Sequence, residues 1–139
     1  MKNKPCLTLD DVKRIAAASE ACATHHAWPV TLAVVDDGGH LLWLQRLDGA
    51  APISAQIATA KARTAALGRR ESKVYEDMIN QGRMSFLSAP ALQGMLEGGL
   101  PIMVDGQCVG AVGVSGVKSN EDAVIARAGI DALDISGAK

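Results

Sequence analysis

Apolar and small positions in the first part of the chain recur every three or four residues, as on one face of a helix: Val12, Ile15, Ala16, Ser19, Cys22 and Ala23. Thr8 and Asp11 have the spacing of a capping pair, so the pattern predicts a helix from about Leu9 to about His26. Pro29 prevents the helix from continuing, because its ring lacks an N–H group and disfavours helix in the residue before it.

A β-branched, apolar run follows at Val30–Val35, and the residues after it, 36–39, are two aspartates and two glycines. This turn chemistry predicts a hairpin whose return strand is His40–Arg46. Ser54 is then placed to cap a second helix, with small and apolar residues at helical spacing behind it. We expect that helix to end near Gly68, with the glycine as its C-terminal cap.

The polar stretch from Glu71 to Pro90 predicts little beyond a short helix around Tyr75–Asn80. Three strands are predicted after it, at Leu92–Glu97, Leu100–Asp105 and Gln107–Ser115. The last two strands are joined at Asp105-Gly106, a strong hairpin signal. Ser119, with Asp122 three residues later, then opens a final helix.

The predicted order is α-β-β-α-(α)-β-β-β-α, in which hairpins outnumber βα crossovers. Such an order indicates an α+β domain, a five-stranded antiparallel sheet with helices packed on it. The length of 139 residues favours one domain, residues 1–139, and 48% apolar residues are enough to build a core.

Charge and composition exclude several classes of function. The formal net charge is −1, so the chain has no basic excess for binding a phosphate backbone, and four aromatic residues are too few for a base-stacking platform. The three cysteines form no CxxC pair and indicate neither a disulfide framework nor a zinc knuckle. No stretch has the apolar length of a signal peptide or a membrane span, so we expect a cytoplasmic protein without nucleic-acid or membrane partners.

Three glycines at Gly110, Gly113 and Gly116 precede the last predicted helix. Their spacing is neither that of a dinucleotide-binding loop nor that of a Walker sequence, and Glu121 and Asp122 put negative charge where an anion would dock. The pattern therefore favours glycines that let a helix or a second subunit lie close to the strand.

The histidines raise the question of a metal or haem. His25 and His26 are adjacent on one helix and point about 100° apart, so they cannot chelate one ion as an i,i+4 pair would. His40 lies beside the glycine-rich turn. Each of the three could supply the single imidazole that haem iron needs, or be an ordinary solvated side chain.

Lys61 falls among apolar positions of the second predicted helix, where a lysine is costly to bury without a carboxylate or carbonyl partner. Asp48 and Asp36 are the candidate partners, and Arg46 and Asp48 flank Leu47. Lys61, Arg46 and Asp48 have two interpretations. They form ion pairs that hold the hairpin against the helix, or they provide a carboxylate-binding or acid/base pair. No catalytic triad or paired-carboxylate motif emerges from local spacing.

Five ordered segments together resemble a known family: residues 34–41 (VVDDGGHL), 46–50 (RLDGA), 61–65 (KARTA), 98–102 (GGLPI) and 109–116 (VGAVGVSG). They resemble the GlcG/HbpS family, which also includes the C-terminal domain of PduO-type corrinoid adenosyltransferases. The resemblance covers nearly the whole chain. It implies a five-stranded antiparallel sheet with helices and a dimer-based homo-oligomer of up to eight copies.

The resemblance also implies a function. Some members bind haem, and others are encoded with glycolate, glycerol or propanediol metabolism. We therefore expect an oligomeric, non-enzymatic accessory protein that binds haem or a related tetrapyrrole. Because some relatives place a haem-binding histidine in the N-terminal region, His25 and His26 rank above His40. The alternative is a small-molecule enzyme or corrinoid-maintenance factor that uses Lys61, Arg46 and Asp48.

The chain departs from the family pattern after Gly116, where residues 117–120 (VKSN) stand in place of the usual glycine and threonine. A threonine ligand from that segment is therefore not carried over. Nor is the adenosyltransferase activity of PduO, because that activity belongs to a separate N-terminal domain.

Overall fold

Helices and strands follow one another along residues 1–133, the part of the chain that the computed structural model describes; residues 134–139 of the predicted domain lie outside it. The elements are α1 (Leu9–His25), β1 (Thr31–Asp36), β2 (Leu41–Arg46), α2 (Ser54–Gly68), α3 (Ser72–Asn80), a 3₁₀ helix (Met84–Ser88), β3 (Gly99–Val104), β4 (Gln107–Ser115) and α4 (Ser119–Asp131).

The strands form one antiparallel sheet in the order β2-β1-β4-β3. Alternate residues of β1 serve the two faces, as the pleat requires. Leu32 and Val34 join the larger core cluster, to which α1 and α4 contribute, whereas Ala33 and Val35 pack with the alanines of α2. The sheet is therefore sandwiched between α1 and α4 on one face and α2 on the other, which confirms the α+β class.

Glycine in β4 sets the distance between the sheet and α2. A Cβ atom on Gly113 would overlap the carbonyl oxygen of Ala58 and the backbone nitrogen of Ala62, both in α2. The helix backbone thus lies directly on the strand at Gly113, as predicted, whereas Gly110 and Gly116 lie against residues of β1 and the segments before it. Alanines fill the narrow layer between α2 and the sheet.

The prediction of a fifth strand at Leu92–Glu97 is wrong, because this segment lies against α2 instead of joining the sheet. Gly94 contacts the α2 backbone so closely that a Cβ would overlap Ala60, and its N–H donates to Thr64 Oγ1 at 3.2 Å. The N–H of Glu97 donates to Glu76 Oε1 at 2.9 Å. These backbone N–H groups donate to side chains, whereas in a strand they would bond to the backbone of a neighbouring strand. Among the described residues the sheet therefore has four strands.

Some of the predicted turns and helix caps are confirmed, and others are wrong. Thr8 and Asp11 form the predicted capping box of α1, and Asp105 and Gly106 both have positive φ, as the tight β3–β4 hairpin requires. Ser54 is not the cap of α2: its hydroxyl bonds to the Ala51 carbonyl and to Thr31 Oγ1. The left-handed residue that ends α2 is Arg69, with φ of 55°, not Gly68.

At α4, the residue before the helix is Lys118, and its N–H donates to Glu121 Oε1 at 3.2 Å. Ser119 and Asp122 therefore do not form the predicted cap, and Asp122 is buried. No helix within residues 1–133 is both long enough and apolar enough to cross a membrane.

Candidate functional site

The end of α1 brings an imidazole and an indole together. Ala27 adopts a positive φ of 56°, and the Trp28 N–H donates back to the Ala23 carbonyl at 2.9 Å. This reversal places the His26 ring flat on the Trp28 ring, with 4.1 Å between centroids and 14° between planes. His25 meets His26 edge-on at 5.1 Å, so two of the predicted histidines share one site.

Hydrogen bonding fixes the proton on the His26 ring. His26 Nδ1 lies 2.9 Å from the carbonyl oxygen of Cys22, one helical turn earlier. A carbonyl oxygen only accepts, so in the neutral ring Nδ1 carries the proton and Nε2 keeps its lone pair. Because His26 is exposed, that lone pair is available to an incoming metal centre. A partner on the other ring nitrogen is the usual arrangement for a metal-binding histidine.

A cleft of about 550 Å³, called here the α1 cleft, is lined in part by Trp28; His26 is not among its lining residues and reaches it only through its stacking on Trp28. Its lining comes from the end of α1, the linker between α1 and β1, and the loop after β2: Ala23, Thr24, Ala27, Trp28, Pro29, Leu47, Asp48 and Gly49. The volume lies in the range of small-molecule sites, and the walls are mostly apolar. Asp48, a predicted site residue, is exposed and is the acidic side chain in the lining of this cleft.

His40 lies apart from the α1 cleft, on the β1–β2 turn. The six residues of β1 separate it from the cleft, a span of about 20 Å. Its N–H donates to Asp36 Oδ1 at 2.9 Å, and the side chain is exposed. The structure therefore does not bring His40 together with His25 and His26.

The predicted cluster of Lys61, Arg46 and Asp48 does not form. Lys61 is buried, and its ammonium donates to Asp122 Oδ2 at 3.1 Å and to the Val114 carbonyl at 2.9 Å. Arg46 is exposed and donates through Nε to the Ala50 carbonyl at 3.1 Å. The carboxylate that receives the lysine is thus neither Asp48 nor Asp36, and the Lys61 amine has no access to a substrate.

Asp122 is the residue that sequence reasoning missed. Burial raises the pKa of its carboxyl, against the opposing effects of the Lys61 ammonium and of the Val117 N–H, which donates to Oδ1 at 3.2 Å. A buried lysine in a helix of small residues signals that a carboxylate is needed. The sequence does not show which one, because the partner lies 61 residues away on α4.

No group of three or more histidine, cysteine or acidic side chains within residues 1–133 is placed to hold a metal ion. The free Nε2 of His26 instead suits a centre that needs one protein ligand. The three free cysteines do not change this arrangement: Cys108 is buried, Cys6 is exposed, and burial raises the pKa of the half-buried Cys22 thiol.

Comparison with known proteins gives consistent results. Residues 7–131 match the sequence profile of a family described as haem-degrading protein HbpS-like. Protein GlcG of Escherichia coli (strain K12) is 56% identical over 115 residues, which are 83% of this chain and 85% of GlcG.

Two solved structures share the fold. Klebsiella pneumoniae protein ORFY superposes with a TM-score of 0.88 at 30% identity, over 99% of this chain and 95% of ORFY. The PduOC:haem complex superposes with a TM-score of 0.85 at 26% identity, over 94% and 96% of the two chains. The profile match over most of the chain, the identity to GlcG and the shared fold together show that this chain belongs to the HbpS-like family.

Proposed function

We propose that this protein binds haem, or a related tetrapyrrole, at the α1 cleft, with Nε2 of His26 as the iron ligand. The observation that carries the proposal is the His26 ring itself: Nδ1 is held by the Cys22 carbonyl at 2.9 Å, and the ring is stacked on Trp28. The PduOC relative was solved as a haem complex, and the family is described as haem-degrading, which supports the choice of ligand.

The surroundings of His26 suit a porphyrin. Haem needs an imidazole beside apolar surface, and Ala27, Trp28 and Pro29 provide that surface along one wall of the cleft. If haem binds here, His26 would hold its iron, which would supply redox and ligand-exchange chemistry. The chain itself orients the imidazole through the Cys22 carbonyl and covers one face of the ring with Trp28. His25 is the second candidate at the same place, since its ring touches His26.

We further propose that the protein is a homo-oligomeric accessory protein, as the family resemblance implies. The support within the fold is β2, an edge strand of the sheet on which Leu41 and Leu42 are exposed. An exposed apolar edge strand promotes aggregation in a monomer, and association of subunits covers it.

Haemin titration of the purified protein tests the site. Wild type should give a saturable Soret shift, which His26→Ala should reduce at least tenfold in affinity or move in wavelength. His26→Phe keeps an aromatic ring against Trp28 but has no ligand atom, so it should behave like His26→Ala. His40→Ala, at the far end of β1, is the matched control and should bind as wild type does.

A second titration, with cobalamin, separates haem binding from a corrinoid function. We expect no saturable spectral change with cobalamin. If the triple variant of His25, His26 and His40 to alanine keeps the wild-type Soret position and affinity, histidine ligation is wrong. A tight cobalamin complex alongside weak haemin binding would favour the corrinoid alternative instead.

A further inference from the structure

A second cleft, called here the α2 cleft, lies on the other face of the sheet from α1. Its volume is about 500 Å³. Helix α2, strand β2 and the segment before β3 supply its lining: Leu44, Ala55, Gln56, Thr59, Ala60, Arg63, Ala91 and Gln93. Neither the haem proposal nor the family resemblance assigns a role to this cleft.

The geometry of α2 explains why these side chains meet. Ala55, Thr59 and Arg63 follow one another at four-residue spacing and so form a stripe along the side of the helix. Leu44 approaches from β2 because it pairs with Ala33, whose side chain faces α2. The opposite wall, with Gln93, is held in place by the neighbouring Gly94, whose N–H donates to Thr64 Oγ1.

Arg63 is the charged group of the α2 cleft. Its stem packs against Gly39 of the β1–β2 turn, with Cγ 3.5 Å from the place of a Cβ on that glycine. Yet no carboxylate or carbonyl within residues 1–133 accepts a hydrogen bond or ion pair from its guanidinium. The lining contains no acidic side chain, so the positive charge is half-buried and uncompensated.

Neutral polar groups surround this arginine. Gln56 and Gln93 bring amides that donate and accept hydrogen bonds, and Thr59 donates its hydroxyl proton to Ala55 at 2.9 Å, which leaves the oxygen free to accept. The remaining lining is one leucine and three alanines. A single guanidinium fork with amides and small apolar residues matches one carboxylate on a short carbon skeleton, because arginine binds a carboxylate through two parallel hydrogen bonds.

We propose that the α2 cleft binds a small organic carboxylate through Arg63, with Gln56 and Gln93 contacting the polar groups on the rest of the molecule. The cleft has one cation, which favours a carboxylate over a phosphate dianion. Because the α1 cleft lies on the other side of the sheet, this binding is independent of haem.

Calorimetric titration of the full-length protein with lactate, succinate, citrate and inorganic phosphate tests the proposal. At least one carboxylate should bind saturably, and its methyl ester should not. Arg63→Lys keeps the charge but loses the fork, and should weaken binding about tenfold; Arg63→Gln should abolish it. Ala55→Leu, which narrows the cleft without changing charge, should weaken binding as well.

Arg14→Gln is the control for net charge, since Arg14 is exposed on α1 and pairs with Asp10. It should bind the carboxylate as wild type does, and both Arg63 variants should keep the wild-type circular dichroism spectrum.

The proposal is overturned if no carboxylate binds, if Arg63→Gln binds unchanged, or if phosphate binds more tightly than every carboxylate. It is also overturned if Arg63→Gln changes the sedimentation of the protein, because the cleft would then be filled by a second copy. Loss of haem binding in the His26 variants, with carboxylate binding intact, would show that the two sites are separate.

Discussion

Lys61 on α2 and Asp122 on α4 form an ion pair of 3.1 Å across the end of the sheet, with both side chains almost fully buried. The lysine also donates to the Val114 carbonyl of β4, and the aspartate accepts from the Val117 N–H that follows the same strand. The pair therefore joins helices from opposite faces of the sheet to the end of β4, one of its two central strands.

Removing the lysine should be costly. Lys61→Met leaves a buried carboxylate without its partner, and we expect a loss of about 3–5 kcal/mol in the free energy of unfolding. The double variant Lys61→Met/Asp122→Asn should recover part of that loss, because no unpaired charge stays buried. Urea unfolding monitored by circular dichroism measures both effects. Lys73→Met, at the exposed pair with Asp77, is the control and should leave the unfolding midpoint almost unchanged.

The deficit of Lys61→Met should also depend on pH. Burial raises the pKa of Asp122, and without the lysine nothing but the Val117 N–H offsets that effect. A raised pKa in the folded state means that folding favours the protonated carboxyl. Its stabilising contribution is complete below the unfolded pKa and is lost as the pH rises through the folded pKa.

The deficit of Lys61→Met relative to wild type should therefore shrink as the pH falls from about 8 to about 5. Unfolding at a series of pH values measures it. In an Asp122→Asn background the same lysine substitution should show no such trend. A deficit that is constant or grows toward acid pH would mean that the buried carboxylate is not what makes the variant unstable.

The contact between β4 and α2 gives a packing prediction. A methyl group at Gly113 would overlap the backbone of α2 at Ala58 and Ala62, which cannot move as a flexible side chain could. Gly113→Ala should cost about 1–3 kcal/mol in thermal or urea unfolding. Gly38→Ala is the matched control: its new methyl would meet the His40 ring at 3.1 Å, an exposed side chain that can turn away, and Asp36 Oδ1 at 3.4 Å, an ordinary contact distance. Equal stability of the two variants would contradict the close contact.

The exposed edge strand gives a prediction about assembly. Leu41 and Leu42 on β2 are 47% and 39% exposed, and neither lines the α2 cleft. If subunits associate through this strand, Leu41→Lys/Leu42→Lys should lower the mass measured by sedimentation toward the 14.4 kDa of one chain. Leu87→Lys, on the 3₁₀ helix and also exposed, is the control and should leave the mass unchanged. A wild-type protein that sediments as a monomer would refute the oligomer itself.

The local part of the fold could be predicted from the sequence. The α1 helix with its capping box, the β1–β2 and β3–β4 hairpins, and the position of α2 followed from residues within a few positions of one another. A capping threonine, a glycine of positive φ or a helical spacing determines the backbone conformation of residues within about four positions of it. Such features can therefore be predicted from the sequence. The close approach of another element at Gly113 was also predicted, because glycine leaves room for it.

Only the tertiary structure decided the rest. The segment at residues 92–97 is apolar enough for a strand, but the partners of its backbone are side chains of Thr64 and Glu76, which the sequence places far away. The choice of Asp122 over Asp48 as the partner of Lys61 depends on where α4 crosses the end of β4. His26 was a candidate from the sequence, yet its stacking on Trp28 depends on the backbone conformation at Ala27. The first two of these outcomes are competitions among groups far apart in the sequence for a buried or shared position, and the folded chain settles them by geometry.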